Sequence, residues 1–107
     1  MQTYKVYYQK KETIEVTGFF NISSIIEKDV KEVCQHSHVY LMETDAENLE
    51  DLFRNMQGEN WSPNGEAREF IKSKRLIHTS MSVGDVAYEI ETGKWYVVDI
   101  MGFRELA

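Results

Sequence analysis

Residues 86–91 and 94–100 each alternate with the period of two that is typical of a β-strand. The Gly at position 93, between the two runs, is the residue that a short hairpin turn requires. A two-residue turn would place Ile90 opposite Trp95 and would make one face of the hairpin apolar and aromatic. We therefore expect this hairpin to lie inside a larger sheet.

Two further stretches predict strands. Residues 2–10 alternate, with Tyr4, Val6 and Tyr8 on one side, and they are rich in residues with high β-propensity. Residues 38–44 predict a largely buried strand beside the first strand or the hairpin. Residues 13–20 are consistent with a short strand or with irregular chain, and the sequence does not decide between them.

Apolar side chains spaced by three and four residues predict helices. The first helix is predicted over part of 22–33, where the apolar residues are Ile22, Ile25, Ile26, Val30 and Val33, with Asn21 or Ser23 as a cap. The second follows residues 44–47, where Thr44 and Glu47 have the spacing of a capping box. Leu49, Leu52, Phe53 and Met56 form its apolar stripe, and Gly58 stands where a left-handed C-cap is expected.

A third helix is predicted after the segment ENWSPNG at 59–65, which combines turn-forming residues with an aromatic. Ser62 and Pro63 fit an N-cap followed by the first helical residue, and the helix would run to about Lys74. Its buried side chains would be Ala67, Phe70 and Ile71.

These elements predict a single α+β domain over residues 1–107. We expect a small antiparallel sheet of three to five strands, with two or three helices packed on one face and a C-terminal β-hairpin. The single cysteine, Cys34, cannot form an internal disulfide, and no apolar run is long enough to span a membrane. We therefore expect a cytoplasmic protein, without a membrane contact.

The charge of the chain disfavours nucleic acid as a partner. Eighteen acidic and 12 basic side chains give a formal net charge of -6, which repels phosphate groups. A local basic strip remains within 68–75. It contains Arg68, Lys72, Lys74 and Arg75, and the cations at its end suit the C-terminal end of a helix.

Residues 78–85 hold the densest set of functional side chains, namely His78, Thr79, Ser80, Ser82 and Asp85. A hydroxyl nucleophile needs a base within hydrogen-bond reach, and consecutive residues of an extended segment point to alternate sides. No catalytic residue is therefore assigned. The remaining interpretations are that these groups satisfy the backbone of a turn, or that they form a polar ligand-binding loop.

The loop at 59–65 adds candidate binding residues. Trp61 is either an exposed anchor for a partner or a core residue at the junction of the two helices, and Asn60 and Asn64 are turn residues or ligand contacts. His36, His38 and His78 could share a metal ion, but no further ligand completes a site, so neither a metal nor another cofactor is predicted. The sequence contains no GxGxxG, Walker, HExxH, GxSxG or CxxC motif.

Two motifs resemble those of a known group of proteins. QGENWSPNGEAR at 57–68 and HTSMSVGDV at 78–86, followed by a hairpin ending in GFREL, resemble a family of small uncharacterised proteins carried by phages, plasmids and other mobile elements. SMSVGDV with the later Gly-Phe is also similar to YodL-like domains of mobile-element proteins. The resemblance implies an accessory protein of a mobile element, and it transfers no catalytic residue.

Three functional hypotheses follow. The first is a non-catalytic protein that binds a host protein in the host cytoplasm through Asn60, Trp61, Asn64 and the 78–85 loop, in a host-takeover or counter-defence role. The second is a small-molecule or nucleotide-binding protein, or an enzyme, in which hydroxyls of that loop and amides near Gly84 cradle an anion. The third is nucleic-acid binding by the basic strip at 68–75. The sequence does not predict an oligomeric state.

Overall fold

The computed structural model describes residues 1–11 and 37–106, and within them it is an α+β structure, as predicted. Five strands form one antiparallel sheet in the spatial order β2-β1-β3-β4-β5. The strands are β1 (Gln2–Gln9), β2 (His38–Ala46), β3 (Val86–Glu89), β4 (Lys94–Asp99) and β5 (Gly102–Leu106), and the described helices are α1 (Leu49–Asn55), α2 (Gly58–Trp61) and α3 (Arg68–Ser73). The helix predicted within 22–33 and the strand considered at 13–20 lie outside the described residues.

Strand β1 pairs with β2 on one side and with β3 on the other, so it lies inside the sheet. Tyr4, Val6 and Tyr8, which are predicted to share one side of the strand, are all buried. The register of β1 on β2 shifts between Val6 and Tyr7. This shift leaves one extra residue, Leu41, on the β2 side, and Leu41 is buried in the core.

The predicted register of β3 on β4 is wrong by two residues. Tyr88 lies opposite Trp95 and Glu89 opposite Lys94, so the connection contains the four residues 90–93. A shift of two residues keeps every side chain on its predicted face, because side chains alternate with a period of two. The apolar and aromatic face is therefore present, with the Tyr88 and Trp95 rings 4.6 Å apart.

The hairpin is followed by a further strand that the sequence analysis did not predict. Strand β5 pairs with β4 from Asp99 opposite Gly102 onwards, and Ile100 and Met101 form the turn between them. Gly102 has φ 111. This is a conformation that residues with a Cβ rarely adopt, so the glycine allows the chain to reverse here.

Helix α1 has its N-cap four residues after Thr44, the N-cap of the predicted capping box. Thr44 pairs with Tyr4 inside β2, and the strand continues to Ala46. The N-cap is Asn48, whose side chain accepts from the Asp51 amide at 2.9 Å. Pairing with β1 thus overrides the local capping signal at Thr44, since each strand residue gains a ladder partner.

Two other predicted helix boundaries are also wrong. Gly58 has no positive φ, and it begins α2 instead of ending α1. Helix α3 begins at Arg68, and the Ser62 hydroxyl accepts from the Ala67 amide at 2.8 Å across an intervening turn. Ser62 therefore stabilises the approach to α3, although it is not its N-cap.

The main core lies between the helices and one face of the sheet. The helical side of this core contains Leu52 of α1, Met56 at the C-cap of α1 and Ile71 of α3. The strands contribute Tyr4, Val6, Tyr8, Leu41, Ala87 and Val98. A second cluster on the opposite face contains Val86, Val97 and Leu106, with Tyr7 and Trp95 packed against it. Among the described residues no helix has both the length and the apolar character needed to cross a membrane.

Candidate functional site

Asp85 is the centre of the hydrogen-bond network in the 78–85 loop. Its side chain is fully buried, and its two carboxylate oxygens accept from the amides of Gln9 at 2.9 Å and of Ser82 at 2.8 Å. The His78 ring donates from Nε2 to the same carboxylate at 2.9 Å. A buried carboxylate with three donors is satisfied, so Asp85 ties β1 and its own loop together.

Gly84 connects this loop to two other parts of the sheet. Its amide donates to the Val98 carbonyl at 2.8 Å, and its carbonyl accepts from Nε2 of His38 at 2.7 Å. A carbonyl only accepts, so Nε2 of His38 carries the proton and Nδ1 is free to accept from the Ser37 hydroxyl at 2.7 Å. Burial lowers the pKa of His38 below its ordinary value of 6.5, which favours this neutral form.

The carbonyl of Thr79 receives two aromatic donors. The Tyr8 hydroxyl donates to it at 2.7 Å and the Trp61 indole Nε1 at 3.1 Å. The Tyr8 ring also stacks on His78 with a centroid distance of 4.6 Å. Burial, followed by the charge of Asp85, raises the pKa of Tyr8, so it remains a donor.

The serine hydroxyls of the loop are bound within the chain. The Ser80 hydroxyl accepts from the Gly58 amide at 2.7 Å, and the Ser82 hydroxyl donates to the Ser80 carbonyl at 2.9 Å. The amide of Asp85 donates to the Ser82 carbonyl at 3.0 Å. The Ser82 hydroxyl and the amides of Gly84 and Asp85, on which an anion cradle would depend, thus donate within the chain, and this arrangement is that of a scaffold.

Asn60 and Asn64 are exposed, and both side-chain amides bind nearby groups. Asn60 Nδ2 donates to the Arg54 carbonyl at 2.6 Å, and Asn64 Nδ2 donates to the Glu66 carboxylate at 3.1 Å. Trp61 is partly buried and packs against the main core. The structure thus connects Trp61 with the 78–85 loop through Thr79, whereas the two asparagines serve local turns.

The basic strip at 68–75 covers α3 and the residues that end it. Lys74 Nζ lies 5.4 Å from the centre of the Phe70 ring, a cation–π contact. Arg75 ends the helix in the left-handed conformation with φ 59. Lys72 and Arg75 are exposed, as is Arg68. Two of the four cations therefore have local roles in the packing and termination of α3.

The metal hypothesis finds no support in the part of the chain that the structure describes. No three His, Cys, Asp or Glu side chains in residues 1–11 and 37–106 lie close enough together to hold a metal ion. His36 is outside these residues, and the ring nitrogens of His38 are bound as described above.

A groove lies between α1 and the β4–β5 turn. Its volume is about 590 Å³. Met101 is 97% exposed and Ile100 is 69% exposed at its edge. We call it the Met101 groove, and its lining residues are Leu49, Glu50, Phe53, Val83, Val98, Asp99, Ile100, Met101, Gly102 and Phe103.

The charged groups that line the Met101 groove are both carboxylates, Glu50 and Asp99. The amide of Ile100 and then the guanidinium of Arg104 lower the pKa of Asp99, and Arg104 lies 3.1 Å from it. Glu50 is exposed in the first turn of α1. The groove is therefore apolar, and its rim holds one exposed carboxylate, Glu50, and one carboxylate paired with a guanidinium, Asp99.

The sequence analysis did not identify these groove residues, although a signal was present. Turn positions are usually polar because their backbone groups face water, and Asn, Asp, Gly, Pro and Ser dominate them. Here Ile100 and Met101 stand between Asp99 and Gly102, two residues that suit a turn. An apolar pair at the tip of a hairpin is unfavourable for an isolated chain and can mark a binding surface.

Comparison of the chain with models of protein families, with curated proteins and with solved structures gives no match.

Proposed function

We propose that this protein is a non-catalytic accessory protein of a phage or other mobile element, and that it binds a host protein at the Met101 groove in the host cytoplasm. The resemblance of the 57–68 and 78–86 motifs supports the source. The observation that carries the binding role is the 97% exposure of Met101 beside an apolar groove. Large apolar side chains exposed next to one another are typical of interaction sites.

The groove offers enough apolar surface to contribute to affinity. Burying an exposed Ile or Met side chain contributes about 1.5–3 kcal/mol each. Ile100 and Met101 together thus supply a substantial part of the roughly 8 kcal/mol that a micromolar complex requires. Phe53, which is 36% exposed, adds an aromatic contact on the α1 side.

In this proposal the helices cover one face of the sheet. They do not cover the β4–β5 turn, whose residues Ile100 and Met101 stay exposed. The polar loops at 59–65 and 78–85 are its supports, because their hydrogen-bonding groups are used inside the chain. The host protein therefore contacts the Met101 groove, and residues of those loops act by holding the fold.

Binding of the host protein is tested with two variants, one changed at the β4–β5 turn and the other next to the β3–β4 turn. Ile100→Thr combined with Met101→Gln, the groove variant, removes the exposed apolar tip. Ile90→Thr is the matched control, because Ile90 is also an exposed apolar residue, at 39%, next to a turn of the same sheet. Both are compared with the wild type in capture from a bacterial lysate, and captured proteins are purified and titrated.

A host protein that binds the wild type and the Ile90→Thr control equally, and binds the groove variant at least about tenfold more weakly, is the expected result. Thermal unfolding of all three proteins shows that the fold is intact. A captured partner whose affinity is unchanged by the groove variant would contradict the proposal.

A further inference from the structure

Two aromatic rings in contact form part of the wall of the Met101 groove. Phe53 of α1 and Phe103 of β5 meet edge to face with their ring centres 6.3 Å apart. Val98 also lines the groove and is almost fully buried. This apolar wall, beside the exposed Ile100 and Met101, offers packing surface to an aliphatic or aromatic side chain, which is the usual anchor of a peptide in a groove.

The rim adds a requirement of charge. The lining carboxylates are Glu50 and Asp99. Asp99 is already paired with Arg104 at 3.1 Å, so the exposed Glu50 carries the charge of the rim. Since the whole chain also has a formal net charge of -6, the field at the groove attracts a cationic partner and accelerates its association.

The same charges disfavour a second copy of this chain as the occupant. A two-fold symmetric contact at the groove would bring the Glu50 carboxylates of the two copies towards each other, in chains that each have a formal net charge of -6. Like charges placed opposite one another at an interface oppose association. The occupant must therefore differ from this chain in charge.

We infer that the Met101 groove takes a short segment of a partner protein in which one large apolar side chain is flanked by Lys or Arg residues. This inference rests on the function proposed above and specifies the chemistry of the partner. The apolar side chain packs against the Phe53–Phe103 pair, beside Ile100 and Met101. The flanking cations face Glu50 at the rim.

A phage-displayed library of random peptides, selected against the full chain, tests this inference. We expect the enriched peptides to share a large apolar residue with Lys or Arg nearby. Their affinity should fall at least about tenfold for the groove variant and about threefold to tenfold for Glu50→Lys, and it should fall with added salt. Glu43→Lys is the matched control, because Glu43 is an exposed carboxylate on β2 outside the groove.

The outcomes separate this inference from the proposed function. Enriched peptides that lack basic residues but lose affinity for the groove variant would overturn the inference and leave the proposed function standing. Peptides that bind the groove variant as well as the wild type would overturn both. Failure to enrich any peptide, or a dimer in sedimentation that the groove variant abolishes, would overturn the inference.

Discussion

The 78–85 loop has the residues of a binding site but is largely bound within the chain, whereas the tip of the Met101 groove has no such residues and is exposed. The loop carries a histidine, hydroxyls and a carboxylate, yet its Asp85 is fully buried and accepts from Gln9, Ser82 and His78. The groove has an Ile-Met tip without reactive groups, yet Met101 is almost completely exposed. Chemical character therefore does not separate an internal scaffold from an exposed surface, because the same polar groups also satisfy the backbone of their own chain.

The largest effect on stability is expected at Asp85. Asp85→Ala removes a buried carboxylate and leaves the amides of Gln9 and Ser82 and the His78 ring without their acceptor. The cost should be about 3–5 kcal/mol of unfolding free energy, measured by urea unfolding. Asp45→Ala is the control, since Asp45 is exposed and accepts from Thr3 at 2.8 Å, and it should cost less than about 1 kcal/mol. Equal costs would show that the loop is not a scaffold.

The two aromatic donors to the Thr79 carbonyl should be coupled. Tyr8→Phe and Trp61→Phe each remove one donor, and each should cost about 0.5–1.5 kcal/mol beyond any packing change. The double variant should cost more than the sum, because the carbonyl then loses both donors. A double-mutant cycle by urea unfolding measures this, and strict additivity would argue against a shared role for the pair.

Stability should also depend on pH through His38. Its pKa is lowered in the folded protein, chiefly by burial, with His78 and Lys10 also lowering it and Gly84 and Asp85 opposing them. The unfolded chain therefore binds the proton first. The stabilisation is complete above about pH 6.5 and is lost as the pH falls towards the folded pKa.

His38→Gln keeps a donor for the Gly84 carbonyl without titrating. We expect its unfolding free energy to change less between about pH 7.5 and pH 5.5 than that of the wild type. The comparison uses urea unfolding at both pH values. Parallel curves for the two proteins would remove His38 from the account.

The smallest effect on stability is expected at the groove. Ile100→Thr combined with Met101→Gln changes exposed side chains, so the unfolding free energy should stay within about 0.5 kcal/mol of the wild type. The same change should weaken partner binding at least about tenfold. A large loss of stability in thermal unfolding would mean that the tip belongs to the fold.

The sequence predicted those elements whose periodicity agrees with their packing. The buried residues of β1 and the two faces of the β3–β4 hairpin follow from alternation alone. The start of α1 was misplaced because pairing of β2 with β1 extends past Thr44, and strand pairing between distant residues leaves no local signal. The turn at 90–93 was misjudged because Gly93 is equally suited to a two-residue or a four-residue connection.

The candidate site was harder to predict than the fold. The sequence names His78, Ser80 and Asp85 but not their partners outside the loop, which lie on β1 and at the start of α2, far away in the chain. Likewise, Ile100 and Met101 are apolar and would suit a strand that continues β4. Only the pairing of β5 with β4 shows that they form a turn. Burial and partners are properties of the folded chain, and they decide between scaffold and surface.

The most direct test places a photo-crosslinking amino acid, benzoylphenylalanine, at position 101 or at position 64 of the chain in bacterial cells. Met101 and Asn64 are both exposed, and they represent the groove and the loops that the sequence highlighted. Our account predicts a crosslink to a host protein from position 101 and none from position 64. A crosslink from position 64 with none from position 101 would contradict it and would return the binding surface to the 59–65 loop.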